Sequence, residues 1–294
     1  NDWLNNYKKF ALKNNISQNT INNAFKNVKF LEQVIKYDRK QPEFFEDTIT
    51  YVNKRANTSR SKKAKKLLIV NKKLFTDVQN NFHVEKEILL ALWGIETNFG
   101  KHVGKMDIIS CLATLSYDKR RSEFFSKQLL TLLKLIDNNL IDPNVLYGSW
   151  AGAYGNFQFM PSTINNYAID YDGNNKIDLK LSLPDALASA ANYINKIGWK
   201  IDQPCFFRVK LTQKINKNFL NKSARTINSR LEISKWKKKG VVKFDGSELE
   251  TYLKAALIIP DGNENSPTYL VFENYEKILK WNRSLRFGIS VCTL

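Results

Sequence analysis

The sequence LWGIETNFG, at residues 92–100, places a single glutamate, Glu96, among tryptophan, isoleucine and phenylalanine. Apolar side chains recur around it at helical spacing, which predicts an amphipathic helix. The apolar stripe consists of Val84, Ile88, Leu92, Ile95 and Phe99. Glu96 follows Trp93 by three residues and Leu89 by seven, so we expect it at the edge of the buried face.

Gly100 predicts the end of this helix, because glycine readily adopts the left-handed conformation of a C-cap. A carboxylate in the last helical turn faces the negative end of the helix dipole, and apolar neighbours remove water from it. Both effects are expected to raise the pKa of Glu96, as a general acid near neutral pH requires. Taken alone, the segment favours a simpler interpretation, a glutamate that extends to solvent at a helix end.

A second segment, GSWAGAYGNFQFMPST at residues 148–163, mixes spaced glycines with aromatic residues. The glycines would let the backbone approach a ligand closely, and the aromatic rings could stack on sugar faces. The glycines are Gly148, Gly152 and Gly155, and the aromatic residues are Trp150, Tyr154 and Phe157. Gln158 could form a hydrogen bond with a polar substituent. A tight corner between helices is the alternative interpretation.

The composition is that of a globular protein with a strong positive charge. Of the 294 residues 43% are hydrophobic, and 46 basic against 28 acidic residues give a net charge of +18. Such a charge suggests an anionic partner, although its diffuse distribution is equally expected from a general lysine bias. No apolar run approaches the roughly 20 residues of a membrane span. The N-terminus does not resemble a signal peptide, so either a cytosolic protein or a mature form is expected.

The cysteines and histidines exclude several kinds of site. Three cysteines, Cys111, Cys205 and Cys292, leave at least one unpaired within the chain, and their spacing fits no metal motif. His83 and His102 are the only histidines, which makes a histidine-based zinc site or a Ser-His-Asp triad improbable.

The chain is predicted to be mainly helical with a small β-containing module, α+β overall. N-terminal helices include one that begins at a Ser17 cap and a single helix over the basic stretch 61–82. The further helices are predicted at about 107–116, 121–137, 161–169 and 184–197. Two segments read as strands, CFFRVKL (205–211) and TYLVFENY (268–275).

Several motifs in fixed order resemble those of the membrane-bound lytic murein transglycosylase B family. The motifs are DRKQPEF (38–44), LWGIETNFG, LATLSYDKRRSEFF (112–125), GSWAGAYGNFQFMPS, DLKLSLPDALASAANYI (178–194) and KWNRS (280–284). The resemblance implies a lysozyme-like helical core at 77–197, completed by 273–294. It also implies an N-terminal helical domain at 1–76 and a small β module at 198–272.

The resemblance implies cleavage of the β-1,4 bond between N-acetylmuramic acid and N-acetylglucosamine in peptidoglycan. In this family the muramyl C6 hydroxyl attacks the anomeric carbon and leaves a 1,6-anhydro product. Glu96 would be the only catalytic carboxyl, first as acid and then as base. Hydrolytic glycosidases generally use two carboxyls, and the segment 148–163 contains no Asp or Glu.

The resemblance also implies which residues bind the substrate. Arg120 and Arg121 would face the acidic stem peptide, although an ordinary solvated pair is an equal alternative. The other residues implied at the cleft are Ser149, Gln158, Tyr193, Asn282, Tyr117 and Tyr154. The sequence departs from the family at Trp281 and Phe287, which stand where the family has tyrosines and therefore lack their hydroxyl groups. It also has GAYG where the family has GAMG.

DYDGNNKIDL, at residues 170–179, begins like an EF-hand calcium loop. Asn175 replaces the usual glycine at position six, and Leu181 replaces the ligand at position twelve. The related family closes a modified loop with a later aspartate, which corresponds to Asp185. The candidate calcium ligands are Asp170, Asp172, Asn174, the Lys176 carbonyl and Asp185. A plain turn rich in Asp and Asn is the alternative, and no cofactor is expected to be required.

The expected protein is a monomer that acts on peptidoglycan strands in the periplasm. A leader or lipid outside this sequence could anchor it to the outer membrane, and cell-wall synthesis or division proteins are possible partners. No nucleic-acid motif is present, so nucleic acid is not an expected partner. The alternatives are a hydrolytic, lysozyme-like muramidase and a non-catalytic wall-binding protein.

Overall fold

The computed structural model describes residues 2–40, 46–263 and 266–294, so the motif DRKQPEF lies outside the described residues from position 41 onward. Within the described part the chain is mainly helical, as predicted. The helices are α1 (Asp2–Lys13), α2 (Gln18–Ala24), α3 (Glu32–Arg39), α4 (Thr48–Arg55), α5 (Thr58–Val70), α6 (Lys72–Phe82), α7 (Lys86–Thr97), α8 (Ile108–Tyr117), α9 (Ser122–Asp137), α10 (Pro161–Tyr167), α11 (Leu183–Lys196), α12 (Ile233–Lys238), α13 (Glu273–Trp281) and α14 (Leu285–Thr293). The strands are β1 (Met106–Asp107), β2 (Tyr147–Gly148), β3 (Phe206–Leu211), β4 (Leu220–Asn221), β5 (Leu231–Glu232), β6 (Val241–Lys243), β7 (Lys254–Ile258) and β8 (Thr268–Val271).

The N-terminal helices confirm one prediction and correct another. The Ser17 hydroxyl accepts a hydrogen bond from the Thr20 N–H at 3.2 Å and so caps α2. The single helix predicted over residues 61–82 is wrong, because Asn71 separates α5 from α6 with φ −109° and ψ 26°. Its side-chain amide donates to the Leu67 carbonyl at 3.0 Å, a local bond by which asparagine competes with helix continuation.

The chain forms two compact units, and the first comprises residues 1–41 and 96–193. At its centre is α8, in which every residue from Ile108 to Ser116 is buried. Asp107 caps α8 by accepting a hydrogen bond from the Ser110 N–H at 3.0 Å. The short strands β1 and β2, which the sequence did not predict, pair antiparallel and place the start of the glycine-rich segment beside the start of α8.

The second unit comprises residues 42–95 and 194–294 and contains a six-stranded sheet. Its strand order is β4-β7-β8-β3-β6, with β5 also paired to β7, and only the β4–β7 pair is parallel. All six strands lie between residues 206 and 271. The predicted strand 268–275 is too long, because β8 ends at Val271 and α13 begins at Glu273.

Two apolar clusters and one disulfide hold the sheet in its unit. Trp236 of α12 is fully buried in one cluster, and its indole N–H donates to the Ala255 carbonyl at 2.8 Å. Tyr275 of α13 is fully buried in the other. The Cys205–Cys292 disulfide joins the start of β3 to α14, with 6.1 Å between the two Cα atoms. Cys111 is the free cysteine and is buried.

The predicted division at 1–76, 77–197 and 198–272 remains a prediction about domains. The mainly helical α+β architecture is confirmed. None of the described helices is long and apolar enough to cross a membrane.

Candidate active site

Glu96 lies in the last turn of α7, as predicted, and is half-buried. Leu92 and Trp93, one turn before it, are 0% and 6% exposed, so the preceding turn of the helix is buried and apolar. The glutamate therefore does not extend freely into solvent, which was the simpler interpretation of the segment.

The backbone turns sharply directly after Glu96. Asn98, Phe99 and Gly100 are all left-handed, with φ of 52°, 60° and 78°. The helix ends at Thr97, so Gly100 is the third residue of this turn rather than the residue directly after the helix. A left-handed phenylalanine is rare, and such strained residues persist only where the surrounding structure imposes them.

Thr97, which sequence reasoning did not select, holds this turn in place. Its side chain is fully buried, and its hydroxyl donates to the Asn156 carbonyl at 2.8 Å while accepting from the Gly100 N–H at 3.0 Å. The His102 N–H donates to the Thr97 carbonyl at 2.9 Å. The end of α7 is thereby bound to the glycine-rich segment.

Asn156 continues this connection toward the candidate calcium loop. Its side-chain amide donates to the carbonyls of Leu179 and Lys180 at 3.1 and 2.9 Å, and its N–H donates to Leu179 at 2.8 Å. Asn156 is 5% exposed, and a buried amide needs such partners. The only signal in the sequence was a polar residue between Gly155 and Phe157 in a stretch rich in glycine and aromatic residues.

The glycines of residues 148–160 make room for the protein itself. A Cβ at Gly152 would lie 2.4 Å from the Leu112 side chain, and one at Gly155 would lie 2.4 Å from the Leu179 carbonyl oxygen. A Cβ at Gly148 would lie 2.1 Å from the Ala153 carbonyl oxygen. Protein atoms therefore fill the side-chain space of these glycines, and close approach of a ligand to their backbone stays a prediction.

Two of the aromatic residues expected to stack on sugars are part of the core. Tyr154 and Phe157 are each 2% exposed, so neither ring offers a free face in this structure, and substrate stacking by Tyr154 stays a prediction. Burial, followed by the charges of Asp178 and Asp142, raises the pKa of Tyr154. Trp150 is only half-buried, and its ring lies 6.4 Å from that of Tyr37.

Ser149 and Gln158 each keep one polar function for a ligand. The Ser149 hydroxyl oxygen accepts from the N–H groups of Ala153 and Ala151 at 3.0 and 3.3 Å, which leaves its proton for donation. The Gln158 amide nitrogen donates to the carbonyls of Gly155 and Val103 at 2.9 and 3.2 Å, which leaves its oxygen as an acceptor.

Tyr193 lies on α11, half-buried in an aromatic group. Its ring stacks on Tyr167 with 4.4 Å between centroids and meets the edge of Phe159 at 5.9 Å. Burial, followed by the neighbouring Tyr167, raises the pKa of Tyr193, so its hydroxyl stays protonated. It is therefore suited to donate a hydrogen bond.

Arg120 and Arg121 both bind Asp38, which is 3% exposed and which sequence reasoning missed. The Arg120 Nε donates to the Asp38 carboxylate at 2.6 Å, and Arg121 forms a second ion pair with it. Burial alone would raise the pKa of Asp38, but the two guanidinium groups hold it below its ordinary value. The arginine side chains remain 46% and 38% exposed, so this is neither an ordinary solvated pair nor a fully enclosed one.

Two other predicted binding residues have different surroundings. Tyr117 is 56% exposed, its ring lies 5.7 Å from Phe30 and 6.1 Å from Trp3, and the three line a cavity of about 370 Å³. Asn282 belongs to the other unit, where it is exposed at the end of α13. Phe287 is 3% exposed and buried in that unit.

The candidate calcium loop brings three of its predicted ligands together. Carboxylate oxygens of Asp170, Asp172 and Asp185 all lie within 4.8 Å of one another. That spread fits one Ca²⁺, because oxygens on opposite sides of an ion at about 2.4 Å are about twice that distance apart. Asn175 has φ 67°, the left-handed conformation that position six requires.

Asp185 is fully buried and fixes the loop around it. Its carboxylate accepts N–H groups from Tyr171 at 2.8 Å, Asp178 at 3.0 Å and Asp172 at 3.2 Å. Asp185 lies in the first turn of α11 and contacts the loop from there, and its role in closing a calcium site stays a prediction. The Asn174 and Lys176 oxygens remain predicted ligands.

The whole chain, residues 1–294, matches the model of the Transglycosylase SLT domain. Membrane-bound lytic murein transglycosylase B of Escherichia coli (strain K12) is 43% identical over 119 residues, which are 40% of this chain and 33% of that protein. The match thus spans about a third of the relative's length.

Solved structures agree over nearly the whole chain. SltB3 from Pseudomonas aeruginosa, in complex with NAG-anhNAM-pentapeptide, has a TM-score of 0.90 and 33% identity, covering 99% of this chain and 76% of that chain. The Escherichia coli lytic transglycosylase Slt35, in complex with calcium, has a TM-score of 0.82 and 25% identity, covering 99% and 90%. These matches confirm the lysozyme-like fold and the resemblance to lytic murein transglycosylases. The chain belongs to the Transglycosylase SLT domain family.

Proposed function

We propose that the protein is a peptidoglycan lytic transglycosylase. It would cleave the β-1,4 bond between N-acetylmuramic acid and N-acetylglucosamine without water and leave a 1,6-anhydromuramyl product. The observation that carries the proposal is the position of Glu96, half-buried in the last turn of α7 and anchored through its neighbour Thr97 to Asn156. Membership of the family and the similarity to SltB3, solved with an NAG-anhNAM-pentapeptide, support it.

In this mechanism Glu96 carries one proton in each direction. The protonated carboxyl donates to the glycosidic oxygen as the bond to the muramyl anomeric carbon breaks. The carboxylate then accepts the proton of the muramyl C6 hydroxyl as that oxygen bonds to the anomeric carbon. The carboxyl is protonated again at the end, so one catalytic acid suffices, whereas hydrolysis generally uses two carboxyls.

The neighbouring side chains would bind the reacting sugar. Ser149 would donate its remaining proton to a sugar oxygen, and Gln158 would accept from a sugar hydroxyl or amide N–H. Tyr193 would donate from its protonated hydroxyl. The exposed edges of Arg120 and Arg121 would contact the stem-peptide carboxylates.

Two further residues complete the proposed substrate contacts. Tyr117 would bind substrate through its exposed ring, and Asn282 would contribute from the end of α13. Neither is needed for the proton transfers assigned to Glu96.

A calcium ion would have a structural role. Asp170, Asp172 and Asp185 would hold it, with oxygen ligands from Asn174 and the Lys176 carbonyl. A divalent ion supplies positive charge that offsets the repulsion among the three carboxylates. The calcium bound in Slt35 supports this assignment, and the proton transfers would not require the ion.

We place the enzyme in the periplasm as a monomer acting on glycan strands, with an outer-membrane anchor and wall-synthesis or division proteins as further proposed associations. The Cys205–Cys292 disulfide supports an oxidising compartment, because such bonds rarely persist in the cytosol. The net charge of +18 suits an acidic wall polymer.

Replacement of Glu96 tests the catalytic assignment. Glu96→Gln keeps the shape of the side chain but removes its acid, so we expect turnover of purified sacculi to fall by at least about a thousandfold while sacculus binding persists. Glu87→Gln, on the same helix at an exposed position, is the control and should retain full activity. Activity in Glu96→Gln comparable with the control would contradict the mechanism.

The product distinguishes the two possible reactions. Mass spectrometry of the released muropeptides should find anhydro ends, lighter than the hydrolytic products by the mass of one water. Reducing ends would instead identify a muramidase, and binding without any products would identify a non-catalytic wall-binding protein.

A further inference from the structure

The surface of α5 ends in two adjacent exposed aliphatic side chains. Ile69 and Val70 are 75% and 79% exposed. The opposite side of the helix already has its apolar contacts, since Ala64 is buried and Leu67 and Leu68 are half-buried. Packing of α5 in its own unit therefore does not account for the exposed pair.

Lysines surround this pair on the same surface. Lys62, Lys65 and Lys66 precede Ile69 by seven, four and three residues, so all four side chains share one helical face. Each of these lysines is exposed. Lys72, also exposed, follows at the start of α6. The corner between α5 and α6 thus presents two exposed aliphatic side chains beside four exposed lysines.

The positive charge of this segment is not balanced by acidic residues within it. The sequence contains no acidic residue between Asp47 and Asp77. Asp77 itself pairs with Lys73 at 2.6 Å, with both side chains exposed. The lysines on the outer face of α5 therefore present a strong positive field to a partner.

We propose that this α5 surface docks on an anionic lipid membrane. The lysines would contact lipid phosphates, and Ile69 and Val70 would enter the boundary between headgroups and acyl chains. Exposed aliphatic side chains beside lysines favour lipid over a purely ionic polymer, which would engage only the charges. Aromatic residues, on which the bases of single-stranded nucleic acid stack, are absent from α5. The inference is independent of the proposed catalytic function.

Vesicle co-sedimentation tests the docking surface. The full chain should bind vesicles of 30% phosphatidylglycerol in phosphatidylcholine, and binding should weaken with salt and be absent on pure phosphatidylcholine. Ile69→Ser with Val70→Ser should reduce the partition coefficient at least about fivefold. The quadruple variant Lys62→Gln, Lys65→Gln, Lys66→Gln and Lys72→Gln should reduce it at least about tenfold.

Matched variants elsewhere on the same unit separate a specific surface from general charge. Lys214→Gln, Lys217→Gln, Lys235→Gln and Lys238→Gln remove the same charge from exposed positions, and Tyr252→Ser removes a fully exposed apolar side chain. These controls should keep most of the vesicle binding, and all variants should cleave soluble glycan fragments normally.

Three outcomes would overturn the proposal. The first is no binding to anionic vesicles at low salt. The second is an equal loss in the matched lysine variant, which would show only general charge attraction. The third is loss of sacculus binding with unchanged vesicle binding in the α5 variants, which would identify the wall polymer as the partner of this surface.

Discussion

Two loops of the first unit, residues 148–160 and residues 170–178, use left-handed residues for different purposes. In the first loop Gly152 and Gly155 are left-handed, and protein atoms also occupy the space of a side chain at both positions. In the second loop Gly173 is also left-handed, yet no atom lies within 4 Å of its missing Cβ. Packing shapes the first loop, whereas carboxylates that accept backbone N–H groups shape the second.

The two loops meet at Leu179, and the contact determines how each can affect Glu96. Gly155 lies against the Leu179 carbonyl, and the Asn156 N–H donates a hydrogen bond to the same carbonyl. The Asn156 carbonyl in turn accepts the hydrogen bond from the Thr97 hydroxyl. Residues 148–160 therefore support the turn after Glu96 directly. Residues 170–178 precede Leu179 and support that turn through the first loop, so binding or loss of calcium there should affect stability more than catalysis.

The largest difference should appear between two glycine substitutions. Gly155→Ala puts a Cβ 2.4 Å from the Leu179 carbonyl oxygen at φ +78°, and we expect a loss of more than about 3 kcal/mol in unfolding free energy. Gly173→Ala has nearly the same φ, +74°, with open space, and should lose only about 1 kcal/mol. Urea unfolding of both variants measures the difference. Equal losses would show that backbone conformation, not packing, shapes both loops.

Calcium should stabilise the second loop without changing the first. A ligand that binds only the folded state adds about 2.7 kcal/mol at a hundred times its Kd, so thermal unfolding of chelated protein should shift upward on calcium addition. Asp170→Asn should remove most of the shift, because Asp170 supplies one of the three clustered carboxylates. Asp245→Asn, an exposed residue of the other unit, is the control and should keep the shift. A full shift in Asp170→Asn would place any ion elsewhere.

The link from residues 148–160 to α7 can be cut at one side chain, the Thr97 hydroxyl. Thr97→Val keeps the volume but leaves the Asn156 carbonyl without this donor and the Gly100 N–H without this acceptor, which should cost about 2 kcal/mol of unfolding free energy. The turnover rate on sacculi should also fall about tenfold, since Glu96 is the preceding residue and small displacements of a catalytic group are costly. Thr97→Ser keeps the hydroxyl and should restore most of the rate. A Thr97→Val enzyme of normal rate would show that the hydroxyl supports only the fold.

The sequence predicted the elements of the site better than their contacts. Helical periodicity placed Glu96 in a last helical turn, and the loop pattern of 170–178 pointed to Asp170 and Asp172, because both features depend on residues close in sequence. Asp185, the third member of the cluster, came only from the family resemblance. The partners of Thr97 and of Asp38 lie 59 and about 80 residues away, and no local pattern indicates them. Asn71 likewise breaks a helix whose lysine and leucine content favoured continuation.

The glycine-rich segment shows what composition alone does not distinguish. Glycine beside aromatic residues is expected both at a ligand cleft and in a tightly packed loop, and the residue types do not distinguish them. Only the positions of Leu112 and Leu179, distant in sequence, show that the loop packs against itself and its neighbours.

The smallest expected effect tests ionic support outside both loops, at Asp38. Its folded-state pKa is lowered, so its contribution to stability is present above the unfolded pKa of about 3.9 and is lost as pH falls through the lower folded value. At pH 7 Asp38→Asn should cost about 1 kcal/mol, a modest loss because the exposed arginines are partly screened by solvent. The difference from the wild type should narrow as the pH falls below the unfolded pKa and disappear once the pH is below the lowered folded-state pKa. Urea unfolding at several pH values measures it, with Asp118→Asn as the control, because Asp118 pairs with the more exposed Arg39. A pH-independent loss in Asp38→Asn would mean that the side chain supports α3 by shape rather than by charge.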